Sequence, residues 1–69
     1  MNWIEVQSAT MTRIGYDETS QILAVEFKNG TTYHYFDVPE HVFAQMKAAS
    51  SKGQFLAQNI KGVYRYARA

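Results

Sequence analysis

The chain has no cysteine, one proline, four glycines and no acidic residue after Glu40. Without cysteine there is no disulfide framework and no thiolate metal site. Apolar runs are short as well. The longest purely aliphatic one, Ile22–Val25, falls far below the roughly 20 residues that cross a bilayer. The opening MNWIEVQS carries an acid and lacks the apolar core of a signal peptide. The expectation is no membrane association and a cytoplasmic location. At 69 residues the chain is read as one domain, residues 1–69. A chain this short buries only about 60% of its unfolded surface, so its core is thin.

What charge there is, is unevenly spread. All six acids lie in residues 1–40, where only Arg13 and Lys28 oppose them. Lys47, Lys52, Lys61, Arg65 and Arg68 follow with no acid among them, so the two stretches carry −4 and +5 although the whole chain is +1. Such asymmetry points to an anionic partner, although small domains also acquire lopsided surfaces by chance.

Hydrophobic periodicity gives the element types. WIEVQS alternates weakly, as a short edge strand does, and Met11–Tyr16 reads as a second strand. DETS is a polar turn. In QILAVEFK, Leu23, Val25 and Phe27 share one face and Glu26 and Lys28 the other. Asn29-Gly30 marks a hairpin, with TTYHYF as its return strand. The period then changes. Pro39 suits a helix start, and Asp37 with Glu40 has capping-box spacing. Val42, Phe43, Met46 and Ala49 form a helical stripe. Ser51 and Gln54 give a second cap signal, predicting a short helix from Gly53 to Ile60 with Phe55, Leu56 and Ile60 inward. VYRY reads as a last strand. The fold class is therefore α+β, a small antiparallel sheet of three to four strands packed against two short helices.

The hairpin admits two registers. A two-residue turn at Asn29-Gly30 pairs Glu26 with Tyr33 and leaves Tyr33 and Tyr35 as an exposed platform. A three-residue loop, Lys28 to Gly30 with a bulge at the glycine, pairs Val25 with Tyr33 and puts both tyrosines on the core face. Burial favours the second, because two large rings bury more area than Thr32 and His34. His34 is then expected to be exposed.

IGYD (14–17), VEFKNGTTYHYFDVP (25–39) and AASSKGQFLAQNIKGVY (48–64) resemble the KTSC domain, a short family named for the C-terminal extension of some lysyl-tRNA synthetases and found also as stand-alone bacterial and phage-type proteins. The resemblance rests on Tyr33-His34-Tyr35 after Phe27-x-x-Gly30 and before Val38-Pro39, followed by the small-residue step Ser50-Ser51-Lys52-Gly53-Gln54-Phe55. It implies an RNA-binding role through the synthetase context. It also implies that Tyr33 and Tyr35 are the fixed positions around a free one, a buried–exposed–buried alternation that agrees with the bulged register.

Two segments carry candidate chemistry. At ASSKGQF, Ser50 and Ser51 offer hydroxyls, Lys52 a charge and Gly53 an accessible backbone, a set suited to a phosphate. A plain serine cap with a solvated lysine explains the same residues, and the spacing is not that of a P-loop. In YRYAR, tyrosines interleave with Arg65 and Arg68, as in modules that stack bases and hold phosphates. The bland alternative is a terminal strand with packed rings and frayed arginines. With Lys61, these residues make a basic half. His34 and His41 have no third ligand at a metal-like spacing, and no nucleophile with base and orienter can be identified. The expectation is a non-enzymatic module without metal or cofactor. It binds RNA or another single strand through Ser50, Ser51, Lys52, Gly53, Lys61, Arg65 and Arg68. The alternative is a protein-interaction module, a monomer or weak homodimer, using an exposed sheet face with Trp3, His34 and Phe36.

Overall fold

The computed structural model describes residues 1–69. Its strands are β1 (Asn2–Glu5), β2 (Met11–Asp17), β3 (Ile22–Phe27) and β4 (Thr32–Tyr35). Helix α1 (Glu40–Ala48) and helix α2 (Lys52–Phe55) follow, α2 running on into a π-helical turn over Leu56–Ile60, and β5 (Tyr66–Arg68) closes the chain. All five strands form one antiparallel sheet in sequence order. The α+β class is as expected from periodicity. The sheet has five strands rather than three or four, because β1 and β5 are both short edges.

The hairpin adopts the three-residue loop. Val25 pairs with Tyr33 and Leu23 with Tyr35, and the Phe27 N–H donates to the Thr31 carbonyl at 2.8 Å. Gly30 sits at φ +89°, a left-handed position that only glycine occupies without strain. Cross-strand partners share a face. One face thus carries Ile14, Tyr16, Leu23, Val25, Tyr33 and Tyr35, and the helices cover it. Tyr35 is buried and Tyr33 half-buried against the core; His34, expected to be exposed, is half-buried.

A second irregularity serves the same face. Met11 pairs with Phe27 and Ile14 with Val25, so β2 spends three residues where β3 spends two. This bulge keeps Met11 and Ile14, three apart in sequence, both fully buried in the core.

Helix α1 begins after Pro39, whose ring presets φ; Glu40 in its first turn and Lys47 in its last suit the helix dipole. Asp37 does not cap it, contrary to the capping-box spacing. Asp37 takes φ +59° and its carboxylate accepts instead from the Arg65 guanidinium at 3.0 Å. Val42, Phe43 and Met46 are buried as the stripe requires, but Ala49 is already extended and ends the helix. Ser51 caps α2, its hydroxyl accepting from the Gln54 N–H at 3.2 Å. This helix starts at Lys52, one residue before the expected Gly53, and Leu56 and Ile60 are buried as predicted. The last strand begins at Tyr66, three residues beyond the expected start at Val63. The Tyr16 hydroxyl donates to the Val38 carbonyl, tying the sheet to the entry of α1.

Phe43 lies parallel to Tyr16, ring centroids 4.9 Å apart, and joins helix to sheet. Phe43→Ala is expected to cost about 3–5 kcal/mol. That equals the roughly 3–5 kcal/mol a single core of this size supplies, so the cooperative thermal transition followed by circular dichroism should disappear. A melt close to the parent temperature would show that the ring is not needed for folding.

Candidate functional site

Two adjoining clefts open between the hairpin, the π turn and β5. The first, about 490 Å³, is lined by Thr10, Phe27, Lys28, Asn29, Thr31, Tyr33, Gly53, Leu56 and Lys61. The second, about 460 Å³, is lined by Phe27, Tyr33, Tyr35, Lys61, Gly62 and Tyr66. They share Phe27, Tyr33 and Lys61 and so form one groove, each half within the roughly 300–1,000 Å³ range of small-ligand sites. No acid lines it.

Local structure explains each contributor. The bulged hairpin turns Phe27 and Tyr33 to the helix side, edge to face at 5.7 Å. Tyr66 stands opposite Tyr35 in register, its ring 5.7 Å from Tyr33 and 5.8 Å from Tyr35. It is 62% exposed. Arg68 pairs with Tyr33 and therefore shares this face. The Lys61 N–H donates to the Leu56 carbonyl at 2.9 Å, a bond one residue longer than in an α-helix. That wider turn delivers the Lys61 ammonium to 5.9 Å from the Phe27 ring. Gly62 follows at φ +78° and lets the chain leave for β5.

The residues expected to hold phosphate do not all meet here. Gly53 and Lys61 line the groove and Arg68 flanks it. Ser50 is exposed outside it, and the Ser51 hydroxyl is engaged by its own helix. The Lys52 ammonium donates to the Ala49 carbonyl at 2.7 Å, closing the helix–helix corner. Arg65 belongs to the other side of the sheet, over the Phe36 ring at 5.5 Å and paired with Asp37. Sequence reading passed over Lys28, Thr10, Asn29 and Thr31 as site residues. Lys28 sits in the acidic half of the chain, and only the hairpin's fold-back sets it beside Lys61. Strand alternation pointed the other way, setting Lys28 on the face opposite Phe27, so no local signal marked it as a groove residue.

The turn between β2 and β3 lies at the opposite end of β3 from the groove. There a cleft of about 410 Å³ gathers Glu18, Glu40, His41, Tyr16 and Lys47 with their neighbours. Burial, then Glu40, Glu18 and Asp17, push the Tyr16 hydroxyl above its ordinary pKa. In the groove, burial, then Tyr33 and Tyr66, push Tyr35 up likewise.

The sheet face away from the helices carries Trp3, Gly15, Ala24, His34 and Ala67 in one row. Trp3 lies on Gly15, where an added Cβ would come within 3.0 Å of its ring. The Arg13 guanidinium stacks over Trp3 at 4.2 Å while forming an ion pair with Glu26 at 3.0 Å.

The KTSC domain profile matches residues 7–64. The crystal structure of a KTSC domain protein from Yersinia pestis superposes with a TM-score of 0.92 at 33% identity, over 99% of this chain and 96% of that one. A protein of Tsukamurella paurometabola is 42% identical over 60 residues, 87% of this chain and 90% of its own length. A lysine–tRNA ligase of Trichormus variabilis is 43% identical over 51 residues, 74% of this chain but 9% of that enzyme.

The two raised tyrosines set a pH dependence. An unfolded tyrosine ionises near pH 10, whereas Tyr16 and Tyr35 hold their protons higher in the folded state. The unfolded chain then binds fewer protons, so stability is complete below about pH 10 and falls as pH rises through and beyond it. The melting temperature should be level from about pH 7 to 9 and drop above about 10. Tyr35→Phe should shrink that drop and leave the part due to Tyr16. An unchanged alkaline profile in that variant would remove Tyr35 as a contributor.

Proposed function

We propose that this chain, which belongs to the KTSC domain family, is a small non-enzymatic module of the cytoplasm that binds single-stranded nucleic acid in the groove between hairpin, π turn and β5. The observation that carries the reading is the composition of that groove. Phe27, Tyr33 and the exposed Tyr66, backed by the buried Tyr35, lie with Lys28 and Lys61, with Arg68 alongside. Aromatic faces stack bases of any identity and lysines follow the backbone, which is how sequence-tolerant single-strand binders work. That relatives of this domain form a small segment of lysine–tRNA ligases agrees with an RNA-handling role.

A second reading rests on the uncovered sheet face, where Trp3 is 37% and Met1 51% exposed and His34 and Phe36 share the surface. An interface there would centre on aromatic anchors and tolerate salt.

Salt separates the two. Three phosphate contacts, at Lys28, Lys61 and Arg68, should give a log affinity that falls with log salt at a slope of about −2, at about −0.7 per contact for single strands. Fluorescence anisotropy of a labelled, unstructured 12-nucleotide RNA measures it. Lys61→Glu should weaken binding and flatten the slope, whereas Lys52→Glu, outside the groove, should do neither. Absence of salt-dependent binding by any oligonucleotide at micromolar protein would reject the nucleic-acid reading and favour the sheet-face interface.

A further inference from the structure

The two halves of the groove share three residues and differ in those each adds, and the additions suit different parts of a nucleotide. The β5 half is nearly all ring: Phe27, Tyr33, Tyr35 and Tyr66 with Lys61. The hairpin half shares Phe27, Tyr33 and Lys61 with it and adds Leu56, Gly53 and four polar side chains, Thr10, Lys28, Asn29 and Thr31. The Asn29 carboxamide oxygen already accepts from the Thr31 N–H at 3.0 Å. That bond holds the turn and leaves the amide's NH₂ and two threonine hydroxyls as the groups for a ligand.

Resting on the nucleic-acid reading above, we infer that the groove is a bipartite RNA site in which Tyr66 and Tyr33, backed by the buried Tyr35, take a base, Lys28 with Thr10, Asn29 and Thr31 takes the adjoining ribose and phosphate, and Lys61 stands between them. Rings cannot tell ribose from deoxyribose. Hydroxyl and amide side chains can, because only ribose offers a 2′-OH that both donates and accepts. Three uncharged polar side chains around one lysine make a sugar-reading surface, where a purely basic one would read phosphate alone. The absence of any acid from the lining fits a polyanion in both halves. A duplex keeps its bases stacked inward and cannot offer one to the rings, so the ligand is single-stranded.

Anisotropy titrations of the full chain with labelled octauridylate RNA, octathymidylate DNA and an abasic ribose-phosphate octamer test the division. RNA should bind more tightly than DNA, and the abasic strand most weakly. Tyr66→Ala should weaken octauridylate about tenfold, within the range measured for loss of one stacked base, with the salt slope unchanged. Lys28→Ala should flatten that slope by about 0.7. Thr31→Val should erase the preference for RNA over DNA. Both Tyr66 and Lys28 are exposed, so these variants keep the core. RNA binding that Tyr66→Ala leaves intact, or equal binding of RNA and DNA by the parent, overturns the bipartite assignment while sparing single-strand binding. Failure of all three probes to bind overturns the function itself.

Discussion

The hydrogen bond from the Phe27 N–H to the Thr31 carbonyl decides more of this molecule than any contact in the core. It closes a three-residue loop, and a loop of that length fixes which face every β4 side chain takes. With it, Tyr35 enters the core, and Tyr33 bridges core and groove. Shortening the loop by one residue would exchange both rings for Thr32 and His34 on the helix side. The core would lose Tyr35 and the packing of Tyr33, and the groove its wall. Gly30 makes the loop possible, since a side chain at φ +89° would be strained. Fold and candidate site thus hang on one turn.

That dependence explains why the hairpin was legible in the sequence. Two registers competed, and the areas of Tyr33 and Tyr35 against those of Thr32 and His34 sufficed to choose between them. Burial of Val42, Phe43, Met46, Leu56 and Ile60 was legible for the same reason: apolar residues at helical spacing have one place to go in a small domain. The capping of α1 was not. Asp37 has the right type and spacing for a cap, yet Pro39 starts the helix without a side-chain cap and the left-handed turn at Asp37 aims its carboxylate at Arg65. A cap is a local signal; a partner 28 residues downstream is invisible to it.

The groove shows the same limit. Counting charges along the chain put Lys52, Lys61, Arg65 and Arg68 in one basic half and Lys28 in the acidic half. Folding redistributes them by strand face and helix phase. Arg65 and Arg68 are three apart across the start of β5, and they finish on opposite sides of the sheet. Lys52 turns back onto its own helix corner. The π turn, which has no sequence signature, sets the phase of Lys61. Segment charge therefore does not say which bases share a surface.

The aromatic residues serve two structures at once, the core and the groove. Tyr33 packs on the core cluster with one side and lines the groove with another, and Phe27 does the same. In a domain with so thin a core, burying these rings fully would add stability but leave nothing to line a cleft. Exposing them fully would take from the core area it needs. Half-burial is what a sheet edge provides: β5, three residues long and exposed along its length, covers Tyr35 and leaves Tyr66 open. A longer β5 packed under a third helix would extend the core across the groove and close it. The short terminal strand is thus the feature that lets one set of rings be both core wall and groove wall.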